Sequence, residues 1–290
     1  LSLVGSEMCI RDSFGLDLDK ISPQAETAGA TRAYIRDGAA VSASSLTLQA
    51  GESTDRIKYN AGAEIDATSL SGLASVGLVD ARTITGGVTE AFIGAPAGVA
   101  TPGGLTNLID IGSATTIEAW SDLDATSRMD SLGLSLGVTL GDVDTNADVT
   151  GETRAYVGQG ADLTVQGDLT VKADGDYDAV ASTDLIGVGL LADIGLFHAT
   201  ATTGGLVDAH VGSAAGTTPD PDFGVLTVNG GLKIDAYGDM FANPSVQQNG
   251  FGTGARVGDI EINGVVNGTV RGYIGAVSYT HLRAHETKAN

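Results

Sequence analysis

Four oxygen-bearing side chains alternate along Asp142-Val143-Asp144-Thr145-Asn146-Ala147-Asp148. Hard oxygen donors at alternate positions are the ligands a calcium loop supplies. The central glycine of such a loop is missing, since Ala147 stands there, and the acid that should close it, Glu152, falls one place early. On a strand the same alternation only turns acids toward solvent. Asp142, Asp144, Asn146 and Asp148 are therefore candidate calcium ligands, with a solvated acidic face as the plainer reading. Asp174-Gly175-Asp176-Tyr177-Asp178 is a second acidic cluster and Asp220 with Asp222 a third.

Two further phrases match motifs that carry chemistry. Gly133-Leu134-Ser135-Leu136-Gly137 has the spacing of a nucleophile elbow, which needs a sharp strand-to-helix turn and a histidine base. Its counterparts in the chain do not keep the serine, so a glycine-rich strand explains it better. Gly187-Val188-Gly189-Leu190-Leu191-Ala192 fits a dinucleotide fingerprint but lacks the following helix and the βαβ frame. His198 and His210 are the histidines outside the termini, and His210 takes a position held by Tyr34 and Tyr156 elsewhere. Trp120 is expected to cap a strand end; exposed, it could stack on a sugar. No catalytic or cofactor-binding residue is assigned, and no cofactor is expected apart from the calcium option.

The elements that would position these residues show in the composition. The 290 residues include 42 glycines, 5% aromatics, and 15 Lys+Arg against 36 Asp+Glu, for a net charge of −21. That charge disfavours nucleic-acid backbones and anionic membranes as partners. No run of ~18 apolar residues offers a helical membrane span. Residues 1–13 (LSLVGSEMCIRDS) and 278–290 (SYTHLRAHETKAN) resemble peptides read from translated sequencing-adapter DNA and are set aside as non-native tails of a fragment. The single cysteine, Cys9, lies in the first of them, so residues 14–277 have neither a disulfide nor a thiolate metal site.

Residues 14–277 read as a repeat array. One phrase occurs five times: Ala33-Tyr34-Ile35, Ala91-Phe92-Ile93, Ala155-Tyr156-Val157, Ala209-His210-Val211 and Gly272-Tyr273-Ile274, at intervals of 58, 64, 54 and 63 residues. Units start near 29, 86, 151, 204 and 268. Gly follows the phrase in four of them, and Thr-Gly or Asn-Gly precedes four. The first and third units match each other closely, as do the second and fourth, whose extra length falls near Pro96–Gly104 and Thr217–Gly224. Alternating runs such as Leu46-Thr47-Leu48-Gln49-Ala50 and Leu169-Thr170-Val171-Lys172-Ala173 predict strands with one buried face. The Gly, Asn and Asp residues between runs predict tight turns, and the glycine-rich second halves predict bent strands.

A unit of short strands with small apolar residues buries its face against its neighbours, which is the logic of a solenoid. The fold expected is all-β: an elongated parallel β-solenoid of ~60-residue repeats with two to three coils in each. Tandem β-sandwich modules are the alternative. Phrases of the type A-Y-I-G-x-G-A and L-T-V-x-A, in an acidic array of Gly, Ala and Thr without cysteine, resemble the repeat regions of very large bacterial surface or secreted adhesins of filamentous-haemagglutinin-like type. The resemblance implies a non-enzymatic structural or adhesive segment, extracellular or at the cell surface. Its partners would be neighbouring repeats of the parent chain and an extracellular glycan, host or biofilm surface. A β-helix polysaccharide-active enzyme is one alternative. The other is a carbohydrate-binding repeat module using Tyr34, Tyr156 and Trp120.

Overall fold

In the computed structural model the chain is all-β, its strands lie in parallel sheets, and no helix occurs among the described residues. Those are residues 2–13, 16–36, 38–71, 74–96, 107–135, 138–189, 192–214, 224–252, 255–275 and 280–282. The strands fall into five passes. The first is β1 (Ser2–Ser13), β2 (Leu16–Ile21), β3 (Gln24–Thr27), β4 (Ala30–Ile35) and β5 (Ala40–Ala43). The second is β6 (Leu46–Ala50), β7 (Ile57–Ser71), β8 (Ala74–Ile93) and β9 (Asn107–Ile111). The third is β10 (Thr115–Ser135), β11 (Val138–Val157) and β12 (Ala161–Val165), and the fourth β13 (Leu169–Gly189), β14 (Ala192–Val211) and β15 (Leu226–Val228). The fifth is β16 (Leu232–Gly252), β17 (Ala255–Val266), β18 (Thr269–Ile274) and β19 (Thr280–Leu282).

Each pass visits a six-stranded, then an eight-stranded, then a five-stranded sheet, here called first, second and third. All ladders between named strands are parallel, and each joins one pass to the next. Tandem sandwiches, which would pair strands inside a module, do not describe these sheets. The repeated phrase is the register: Ala33 lies opposite Ala91, Ala91 opposite Ala155, Ala155 opposite Ala209 and Ala209 opposite Gly272. One unit therefore makes one pass, not two or three coils. Strand length is the reason. β8 runs for 20 residues and β10 for 21, where several short strands with turns were expected.

The Thr-Gly signals are not turns within the second sheet, since β8, β11 and β14 run straight through Gly86-Gly87, Gly151 and Gly204-Gly205, whereas Asn267-Gly268 falls in the break between β17 and β18. Their cause is a facing row of large side chains. Tyr59, Leu123, Tyr177 and Met240 are in register in the first sheet and point at Gly87, Gly151, Gly205 and Gly268 of the second. A Cβ on Gly151 would overlap the Leu123 side chain, and one on Gly87 would meet the Tyr59 ring at 2.6 Å. The glycines after the phrase have other causes: a Cβ on Gly158 or Gly275 would meet the carbonyl of Ala95 or Ser213 in the neighbouring pass. Gly94 and Gly212 have φ of 100° and 107°, where a side chain strains the backbone.

Inward residues change character along a pass. Where three sheets meet, Ile93, Ile109, Ile117, Leu163 and Val171 fill the space. Where the first and second sheets face each other alone, the interior is Ala81, Ala125, Ala147, Ala179 and Ala199 with buried hydroxyls. Thr85 Oγ1 donates to the Asp124 carbonyl at 2.7 Å, and Ser127 Oγ to that of Ala81 at 3.0 Å. A hydroxyl that reaches the facing backbone holds the sheets closer than the ~10 Å usual for face-to-face packing. At the far end the interior widens around Ile65, Met129, Val143 and Phe197. A thin interior has little room for rings, which accounts for the scarce aromatics.

Candidate functional site

Parallel, in-register stacking turns each outward position into a row of five side chains. Two such rows lie side by side on the outer face of the second sheet. Tyr34, Phe92, Tyr156, His210 and Tyr273 stack with centroid distances of 5.3, 5.0, 4.9 and 5.1 Å and interplanar angles of 12° or less. Offset stacking of this kind adds to area burial. His210 replaces a phenol ring without breaking the stack, as expected of a variant of the repeat. Phe92, Tyr156 and His210 are buried, and Tyr34 at the end of the row is half exposed.

Two residues before each ring is a charge: Arg32, Glu90, Arg154, Asp208 and Arg271, opposite one another in that order. The signs alternate through all five passes. Arg32 Nε lies 2.6 Å from Glu90 Oε2, and Arg271 Nε lies 3.1 Å from Asp208 Oδ1. Arg154 Nη1 reaches Glu90 Oε1 at 3.9 Å and its Nη2 reaches Glu152 at 2.7 Å. Glu90 and Asp208 are buried. Burial raises the Asp208 carboxyl, but His210, whose Nδ1 is 3.2 Å away, and Arg271 outweigh it and hold the group below the usual range. Alternating, paired charges are what lets ions sit on a buried row.

The calcium candidates lie further along the same sheet, on the outward side of β11. They form a straight row and do not encircle a point. Asp142 and Asp144 meet His198 of β14, their ligand atoms lying within 4.8 Å of one another. His198 Nδ1 is 2.9 Å from Asp144 Oδ1, and its Nε2 is 3.7 Å from Glu261 Oε2. Asn146 and Asp148 do not join this group: Asn146 is opposite Arg82, and Asp148 Oδ2 is 3.6 Å from Arg82 Nη2. Glu64, Asp66 and Asp130 form a similar cluster on the first sheet.

The acids of 174–178 build a carboxylate array on the first sheet. Asp122, Asp176 and Asp239 are in register, and Asp124 is opposite Asp178. Burial and then its acidic neighbours push Asp124 up to about 6, and the same causes raise Asp176 and Asp178. Beside the array Trp120 is buried between two cations. Lys172 Nζ lies 3.6 Å and the Arg56 guanidinium 5.4 Å from its ring, and both cations pair with Asp174. Trp120 and Tyr156 are thus covered, and of the three proposed sugar-stacking rings Tyr34 alone is open.

Leu134-Ser135 ends β10 and Gly187–Gly189 ends β13, while Leu136, Gly137, Leu190 and Leu191 of the same phrases lie outside the described residues. Asp220 and Asp222, and most of the two loop insertions, lie outside them as well. The charge row and the Trp120 sandwich were not foreseen. The signal was present two places before each ring, as Arg, Glu, Arg, Asp, Arg. No family model, curated protein or solved structure matches this chain.

Proposed function

We propose that this chain is a non-enzymatic structural and adhesive repeat segment of a large bacterial cell-surface or secreted protein, folded as a parallel β-solenoid with one turn per repeat. The observation that carries the reading is the identity of repeat interval and pairing register through five passes. A unit so built has no buried face of its own and gains one by stacking, so sequence repetition is invested in a surface of ordered rows. Its partly exposed outward acids, among them Asp142, Asp144 and Asp148 on β11 and Glu64, Asp66 and Asp130 on the first sheet, form flat lines of charge, which suit multivalent contact with an extended surface. A pass rises only ~4.8 Å, while a strand of twenty residues is ~66 Å long. The geometry thus favours breadth of display over length of reach.

Display of the chain on a non-adherent bacterium tests this. Attachment to glycan-coated or abiotic surfaces is expected to rise several-fold over the bare display scaffold. Attachment at scaffold level, with the displayed chain protease-resistant, would overturn the adhesive role. Release of oligosaccharide from a polysaccharide panel would replace it with the enzymatic one.

A further inference from the structure

One outward row of the second sheet collects acids around an imidazole, with no arginine or lysine in it. Through passes two to five it reads Asp80, Asp144, His198 and Glu261, each opposite the next. In the adjoining row Asp142 stands between Leu78 and Leu196 of the neighbouring passes. His198 is thus a nitrogen donor among carboxylates. The strands that carry Asp142, Asp144 and His198, β11 and β14, each have a paired strand on both sides, so the group is complete within the stack.

These donors suit a transition metal better than calcium. Calcium takes roughly six to eight oxygens, whereas zinc and its neighbours accept imidazole nitrogen and carboxylate oxygen together. The ligand atoms of Asp142, Asp144 and His198 all lie within 4.8 Å of one another, and His198 Nδ1 is 2.9 Å from Asp144 Oδ1. Zinc bonds of ~2.1 Å set two donors at right angles about 3 Å apart, so this pair needs little rearrangement to share one ion. The other ring nitrogen, Nε2, faces Glu261 Oε2 at 3.7 Å. A metal-bound histidine characteristically turns its second nitrogen to a carboxylate, which fixes the ring and raises its basicity. Glu261 stands in that place. The cluster of Glu64, Asp66 and Asp130 has no nitrogen donor and offers no such arrangement.

We propose that Asp142, Asp144 and His198 form a binding site for a divalent transition-metal ion of the zinc type, with Glu261 as the positioning residue of His198. The ion ties the third pass to the fourth across β11 and β14. This depends on the pairing register and not on adhesion.

Calorimetric titration of the purified chain with zinc chloride tests it, with calcium chloride as the comparison. Zinc is expected to bind at least about 10-fold more tightly than calcium. His198→Gln and Asp142→Asn, with circular dichroism spectra unchanged, are each expected to weaken zinc by at least about 10-fold, the order lost even when only an outer partner of a ligand is removed. Asp66→Asn, in the all-carboxylate cluster, is expected to leave zinc affinity as it was. Cys9, His281 and His285 stay in place in every variant, so the differences between variants report this site alone. Because the ion binds the folded stack, zinc is expected to raise the melting temperature of the unaltered chain and not that of His198→Gln. Absence of zinc binding, affinity unaffected by His198→Gln, calcium bound as tightly as zinc, or an equal rise in melting temperature in both proteins overturns the proposal. Any of these leaves the attachment result standing, and failed attachment leaves the zinc result standing.

Discussion

Asp124 is the residue whose titration the fold changes most legibly. Its carboxyl is raised from the ordinary 3.8 to about 6 by burial and by Asp122, Asp178 and Asp176. The folded state therefore holds a proton that the unfolded state has lost between those two values, so stability falls as pH rises through that window. Melting temperature is expected to increase on acidification from pH 7 to 5. Asp124→Asn should raise it at pH 7 by about 2–4 °C, roughly 1 kcal/mol after allowing for solvent screening, and flatten its pH dependence. Thermal denaturation of both proteins across pH 4–8 checks this; a mutant less stable at pH 7 would refute it. At this scale the sequence was partly legible. The ring phrase could be read because its members look alike, and it put His210 in its row. The charge row could not, because a search for sameness discards an alternation of Arg with Glu or Asp. His198 was also out of reach as a neighbour of Asp144, since 54 residues of chain and a register separate them.

Between the first two sheets a row of glycines faces a row of large side chains, and this pairing sets where each strand can sit. Gly151→Ala would drive a methyl group into Leu123 and is expected to destabilise by about 1–3 kcal/mol, the usual cost of overpacking. Leu123→Ala alone should cost about 2–5 kcal/mol, as the loss of a buried leucine does. If the two rows are matched, the double mutant should be more stable than the sum of the single losses by about 1 kcal/mol in a denaturation cycle. Additive losses would mean that the Gly87 carbonyl, 3.2 Å from a Cβ at this position, and not Leu123, keeps the glycine. The thin interior makes a related prediction: Ala147→Leu, fully buried between the sheets, should cost about 1–3 kcal/mol or prevent folding, read as the shift in urea midpoint. Strand character was legible from alternation, but strand length was not. Gly and Thr-Gly carry the same letters whether they bend a chain or make room for a facing ring, and which of the two holds depends on a sheet 20 or more residues away in sequence.

Over the whole molecule the charge row, unlike the carboxylate array of Asp122, Asp176 and Asp239, alternates in sign from pass to pass. Because Thr115 is opposite Leu169, deleting residues 115–168 removes one pass and preserves the pairing register of those that remain. The shortened charge row would read Arg32, Glu90, Asp208, Arg271, with two carboxylates abutting. In the full chain Glu90 lies between Arg32 and Arg154, at 2.6 and 3.9 Å, and is buried. Glu90→Gln should there leave two guanidinium groups underpaired, costing about 2 kcal/mol, or about 4–8 °C in melting temperature, somewhat less than a fully buried pair because Arg32 is half exposed. In the shortened chain the same substitution relieves the contact with Asp208 while weakening the one with Arg32, so its cost should vanish or change sign. The four melting temperatures of this cycle test whether the row acts across passes. An equal penalty for Glu90→Gln in both backgrounds would show that each pair stabilises its own step alone, and that the two-pass period of the sequence has some other origin.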